Sequence, residues 1–124
     1  MRQIKISFQN TEIIVQLRDT PTADAIYAAL PVESITRTWG KEVYFETSVK
    51  VPLEPEAKDV VEAGEIAFWT EGQCIAIGFG PTPISKTSEI RLAAMTNIWA
   101  DSVTPVKNLD VVEANEQVLI TTID

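Results

Sequence analysis

The sequence predicts a mainly β fold, a barrel or sandwich of about eight short strands with one clear helix. Three observations predict it. Apolar residues recur at every second position in short runs, from IKISF near the start to QVLITTI near the end. Those runs follow one another too closely to leave room for helical crossovers, which excludes a βαβ sheet. Only one stretch carries both the caps and the three-to-four spacing of a helix.

The elements follow in order. IKISF (Ile4 to Phe8) and EIIVQL (Glu12 to Leu17) read as a hairpin, with Asn10 in the turn because asparagine tolerates positive φ. DTPTADAIYAAL (Asp19 to Leu30) is the helix. Thr20 caps it, Pro21 occupies the first position, where an N–H has no partner to lose, and Pro31 stops it. Ile26, Ala29 and Leu30 share its apolar face. Ser34 to Thr47 reads as two short strands around Gly40. Regular alternation there sends Val43 and Phe45 to the core and puts Glu42, Tyr44 and Glu46 on the other face. Val49 to Gly64, rich in proline and glutamate, reads as a loop with a short strand or turn.

EIAFWT (Glu65 to Thr70) and CIAIGFG (Cys74 to Gly80) form a second hairpin across EGQ, where Gly72 is expected to supply positive φ. Pro81 to Met95 reads as irregular. Thr96 to Thr104 is a strand, with Ile98 and Ala100 on one side and Asn97, Trp99 and Asp101 on the other. Gln117 to Ile123 closes the chain. The alternation assigns Val43, Phe45, Ile66, Phe68, Ile75 and Ile77 to one core. A local echo joins two places: DVVEAGE from Asp59 and DVVEANE from Asp110 both precede a strand. Gly64 and Asn115 fall at matching positions, and both residue types visit the left-handed region at low cost. The flanking residues differ, so this is a repeated turn and not a repeated domain.

A chain of 124 residues suits a single domain over 1–124, and 45% apolar residues suffice for an ordinary core. The net charge of −8 opposes nucleic acid and anionic membranes as partners and serves solubility. No apolar run approaches the ~18 residues of a membrane helix. The opening MRQIKISFQNTEIIVQL lacks the unbroken apolar stretch of a signal peptide, and a cytoplasmic location is expected. Histidine is absent. That excludes a Ser-His-Asp triad, a Cys-His pair and a His-ligated zinc. Cys74 is the only cysteine; in the apolar QCIAIGF it reads as a small buried hydrophobe.

Two motifs dissolve on inspection. GPTPISKT, from Gly80, has the outline of a phosphate loop, but Ser85 replaces the second glycine. Pro81 and Pro83 also have no N–H to offer a phosphate. The acidic run Glu54, Glu56, Asp59, Glu62 and Glu65 lacks the spacing of a calcium loop and reads as solvated. No metal and no cofactor are expected. The aromatic and basic residues Arg37, Trp39, Tyr44, Trp69, Arg91 and Trp99 are the candidate ligand-binding set, weighed against plain core and edge packing.

TWGKEVYFET, VEAGEIAFWTEGQCIAIGFGPTPIS and AAMTNIW, in this order, resemble the small bacterial and archaeal cyclophilin-like domain proteins. Those chains carry T-W-G-x-E-[IV]-Y-F, V-x-x-G-[DE]-[IV]-x-[YF]-W-x-x-G, F-G-x-T-P-x-S and V-N-[IV] segments. Gly78, Thr96 and Trp99 depart from that pattern. The resemblance implies a closed eight-stranded cyclophilin-type β-barrel. It does not imply prolyl isomerase activity, because the F-H-R and G-S-Q-F-F segments of true cyclophilins are missing. Two functions follow as expectations. One is a binding module, with a small molecule or peptide held at a barrel mouth by Trp39, Tyr44, Trp69 or Trp99 and paired to Arg37 or Arg91. The other is an enzyme, a residual isomerase using arginine or a subunit of a multi-component amide hydrolase. An arginine aimed into an apolar groove would favour catalysis or ligand capture.

Overall fold

In the computed structural model, which describes residues 2–123, the alternating runs pair into one antiparallel sheet rolled into a nearly closed barrel. Its strands are β1 (Gln3–Ser7), β2 (Glu12–Leu17), β3 (Val32–Ile35), β4 (Arg37–Thr38), β5 (Glu42–Glu46), β6 (Lys58–Val61), β7 (Glu65–Trp69), β8 (Cys74–Gly78), β9 (Ile90–Ser102) and β10 (Gln117–Thr122). Helix α1 (Pro21–Ala29) and a 3-10 helix (Val106–Val111) complete the chain. Neighbours run β3-β10-β1-β2-β9-β7-β8-β5-β4, and β6 pairs only with β9. Nine strands thus follow one another around the wall where eight are expected, because the two-residue β4 continues β3 beyond Thr36.

β3 and β4 stand at the two ends of that order, and the seam between them is the one place the barrel is not sealed. Thr36 secures it. Its N–H donates to the Glu116 carbonyl, its own carbonyl accepts from Asn115 N–H, and its hydroxyl both donates to the Glu113 carbonyl and accepts from Glu116 N–H.

The six expected core residues, Val43, Phe45, Ile66, Phe68, Ile75 and Ile77, are all fully buried. They meet Ile4, Ile6, Ile13, Trp99 and Ile120 in the interior. α1 adds Ala23 and Ile26 to this core. It forms where expected: Thr20 Oγ1 accepts from Ala23 N–H, and Pro21 stands at the start. No helix among the described residues is long and apolar enough to cross a membrane.

β9 departs most from expectation. Residues 90–95, read as irregular, belong to its first half, which leaves the barrel wall to pair with β6. Lys58 faces Thr96 and Val60 faces Arg91, so Leu92 to Met95 bulge out of the ribbon opposite a single β6 residue. That bulge hides the strand's period. A second bulge changes the facing of the second half. Ile66 pairs with Ala100 but Ala67 pairs with Ile98, which leaves Trp99 as the extra residue. Trp99 and Ala100 therefore both enter the interior core, while Ile98 packs with Val61, Ala67, Ala76, Ile90 and Leu92 on the outer face of β7 and β8. The expected pairing of Ile98 with Ala100 is corrected accordingly. In the β7–β8 turn the positive φ falls on Gln73, at 55°, and not on Gly72.

The echoed turns are alike in detail. Gly64 has φ 97° and Asn115 φ 70°. Each is followed by a buried glutamate that turns back to accept the backbone N–H three residues earlier: Glu65 from Glu62 at 2.7 Å, Glu116 from Glu113 at 2.7 Å.

A groove on the barrel flank

Alternation along β5 sends Val43 and Phe45 inward, so Glu42 and Tyr44 stand on the outer face. Tyr44 lies opposite Ala76 of β8, and Glu42 lies opposite Gly78. Gly78 suits its place because a Cβ there would come 2.4 Å from Ile90 Cγ2, so the absent side chain lets β9 close over the wall. The bulging part of β9 then overhangs this face. Between wall and overhang lies a groove of about 210 Å³. Its floor is Glu42, Tyr44, Cys74 and Ala76; Trp39 and Trp69 flank it; Leu92, Ala93, Ala94 and Thr96 form the overhang.

Three of the lining residues are held from behind. Trp39 N–H donates to the Glu42 carbonyl at 3.0 Å, closing the turn that brings its indole beside β5. Trp69 lies over Gly72, where any Cβ would fall 2.2 Å from the indole, so the turn needs glycine for close approach. Thr96 is fixed by its hydroxyl donating to the Lys58 carbonyl.

Glu42 is the unusual member. It is 7% exposed, and its Oε1 is buried with no hydrogen-bond partner among the described residues. Burial pushes its carboxyl up to about 7 from the usual 4.5. Cys74, also in the floor, is made less acidic by burial first and by Glu46 next, so it is no activated thiolate. The groove therefore offers aromatic faces, aliphatic surface and one carboxyl group with unused hydrogen-bonding capacity.

Of the expected set, Trp39, Tyr44 and Trp69 come together here, on the flank and not at a barrel mouth. The interior is filled with side chains, and of the expected aromatics only Trp99 is among them. Trp99 is corrected to a core residue: it is fully buried, and its Nε1 donates to the Ala67 carbonyl at 3.2 Å beside the bulge. Arg37 is exposed on β4 and is not part of the groove wall. Arg91 is tied to Glu89 at 2.6 Å and to Asp59 at 3.2 Å, also outside the groove.

Glu42, Leu92, Ala93 and Ala94 were not in that set. Only the shared face of Glu42 and Tyr44 signalled any of them in the sequence.

The remaining motifs are scaffold. In the phosphate-loop look-alike, Ser85 Oγ accepts from the N–H groups of Thr82 and Arg91, and the Thr82 hydroxyl donates to the Arg91 carbonyl. The acidic run is partly bonded rather than merely solvated. Glu54 accepts from Thr22 N–H and hydroxyl at the start of α1, and Glu65 is paired with Arg18 and Lys58. No metal-binding group of carboxylates or cysteine exists among the described residues.

A filled, nearly closed antiparallel barrel with one helix packed on it and a groove on its flank is a barrel of the cyclophilin type. The cyclophilin-like family model matches residues 2–121, and the chain belongs to that family. It is also similar to the solution structure of a hypothetical protein from Archaeoglobus fulgidus, with 38% identity, a TM-score of 0.85, and coverage of 98% of this chain and 95% of that one. No curated protein matches the sequence significantly.

Proposed function

We propose that the protein is a binding module whose flank groove seats a small molecule or a peptide side chain. One observation carries this reading: Trp39, Tyr44 and Trp69 meet around a buried carboxyl whose Oε1 has no hydrogen-bond partner among the described residues. Aromatic surface supplies apolar contact at low entropic cost, and a lone buried acceptor supplies orientation. A volume of about 210 Å³ suits a fragment or one side chain, not a large cofactor.

Catalysis is the second reading, and Glu42 is the observation that favours it. A carboxyl near 7 is poised for proton transfer at neutral pH. Among the described residues the groove wall holds neither an arginine to polarise an amide nor a histidine, which leaves Glu42 as the one group with a carboxyl proton to move.

The test is a fragment and short-peptide screen by two-dimensional NMR, with the indole N–H signals of Trp39 and Trp69 as reporters. Hits should move both signals and lose affinity in Trp39→Ala. A screen whose hits all map away from the groove, or that finds none, overturns the reading.

A further inference from the structure

We propose that the groove selects organic cations, specifically a protonated amine borne at one end of a compact apolar body, with the ammonium group between Glu42 and Trp39 and the body along Tyr44 toward Trp69. This rests on the groove being a binding site. It goes further by assigning the ligand's charge and its direction.

The direction comes from strand register. Glu42 lies opposite Gly78, Tyr44 opposite Ala76, and Trp69 opposite Cys74, which in turn faces Glu46. Glu42 and Trp69 thus mark opposite ends of the floor, four residues apart along β5, about 13 Å at the usual rise of a strand. Tyr44 and Ala76 lie between them. Among the described residues the buried acceptor without a partner is therefore at the Glu42 end, beside Trp39, whose backbone bonds to that of Glu42, while Glu46 at the other end is exposed.

The charge comes from the lining. Among the described residues no lysine or arginine lines the groove. Lys41, next to Glu42 in sequence, is exposed, and its aliphatic chain lies against Gly80. Arg37 pairs with Tyr44 across β4 and β5 and its charge reaches Cys74, but it is exposed and outside the lining; the other ionisable groups near the floor, Glu46, Tyr44 and Cys74, bring no positive charge. An unpartnered buried acceptor is relieved most by a ligand that brings both an N–H and a positive charge. Indole and phenol faces favour the same charge through their quadrupoles. The chain's net charge of −8 adds long-range attraction of the same sign. An anion would meet the Glu42 carboxylate, and Arg37, exposed and opposite Tyr44, offers it no buried partner at that end. A neutral body without a donor would leave Glu42 unsatisfied, and a hydroxyl would bring the donor without the charge.

Three probes with one body separate these cases: cyclohexylmethylamine, cyclohexylmethanol and cyclohexanecarboxylate. Binding is read at pH 8, where Glu42 is ionised, from the Trp39 and Trp69 indole signals of the full chain. The amine should bind at least tenfold more tightly than the alcohol, and the carboxylate should not bind. In Glu42→Gln, which keeps the side chain's size, the amine-to-alcohol ratio should fall toward one while the alcohol's affinity is retained; an unchanged amide spectrum elsewhere confirms the fold. Equal binding of amine and alcohol, preference for the carboxylate, or a ratio that survives Glu42→Gln overturns the assignment while leaving a binding groove standing. If none of the three probes binds in the groove, the assignment is overturned, and the screen above then decides whether the groove binds anything. An end-blocked lysine dipeptide forms a further arm. Tighter binding than the free amine assigns the cation to a peptide, weaker binding to a small amine, and either supports the proposal.

Discussion

The carboxyl of Glu42 loses a proton near 4.5 in an unfolded chain and near 7 within the barrel wall, where burial disfavours its charge. Between those values the folded state binds more protons than the unfolded one, so stability falls as pH rises through that window. Glu65 behaves oppositely. Burial raises its proton affinity, but the Glu62 N–H, Lys58 and Arg18 outweigh burial and hold it below the usual range. Its contribution is present above the ordinary carboxylate range and is lost as pH falls into acid. The two residues therefore shape different limbs of the pH profile. Glu42→Gln should gain stability relative to the native chain as pH rises from 4.5 to 8, by up to ~3 kcal/mol. Urea unfolding at three pH values checks this; a difference constant across them contradicts the buried-acid account. Trp99 makes a contrasting case, since nothing about it is polar except an indole N–H already bonded to Ala67. Trp99→Ala should cost ~3–5 kcal/mol by cavity formation and leave ligand affinity in the flank groove nearly unchanged. Denaturation and the NMR titration, run on the same variant, separate the two effects.

At the scale of elements, the two echoed turns show what a short sequence match can carry. DVVEAGE and DVVEANE have in common a residue in the left-handed region and a glutamate that caps the turn from below. Gly64 has no atom within 4 Å of where a Cβ would stand, so a substitution there is opposed by backbone conformation and not by crowding. Gly64→Val should destabilise by ~1–3 kcal/mol, whereas Gly64→Asn, the residue used at the second turn, should cost much less. Thermal unfolding of both variants measures the gap, and equal losses would remove the explanation. The left-handed position was legible because only a few residue types occupy it. The glutamate's role was not, because the same letters serve solvated loops equally well. The bulges of β9 were illegible for a related reason. A bulge inserts a residue without changing composition, so strict alternation placed Trp99 beside Asn97, on the side opposite Ala100, when it belongs inside with Ala100.

Over the whole molecule, alternation located the barrel's interior but not what covers its exterior. Val43, Phe45, Ile66 and Phe68 needed only their own strands to be assigned inward. The groove needed a contact between β5, the β7–β8 hairpin and an overhang from β9, which lies some fifty residues downstream of β5, and no local pattern reports such a contact. The same long-range construction governs folding. β10 lies between β1 and β3, and Ile4 pairs with Thr122, so one end of the chain closes against the other. Such pairings must cross most of the chain before they contribute, which places folding in the millisecond-to-second range. Removing residues 117–124 would strip β3 of its neighbour and β1 of one of its two, and delete Val118 and Ile120 from the core. The shortened chain should show neither dispersed amide signals nor a cooperative unfolding transition, while retaining every residue of the flank groove. If it instead unfolds cooperatively with the Trp39 and Trp69 indole signals in place, the β5–β9 wall is an independent unit and closure through β10 is not what holds the barrel together.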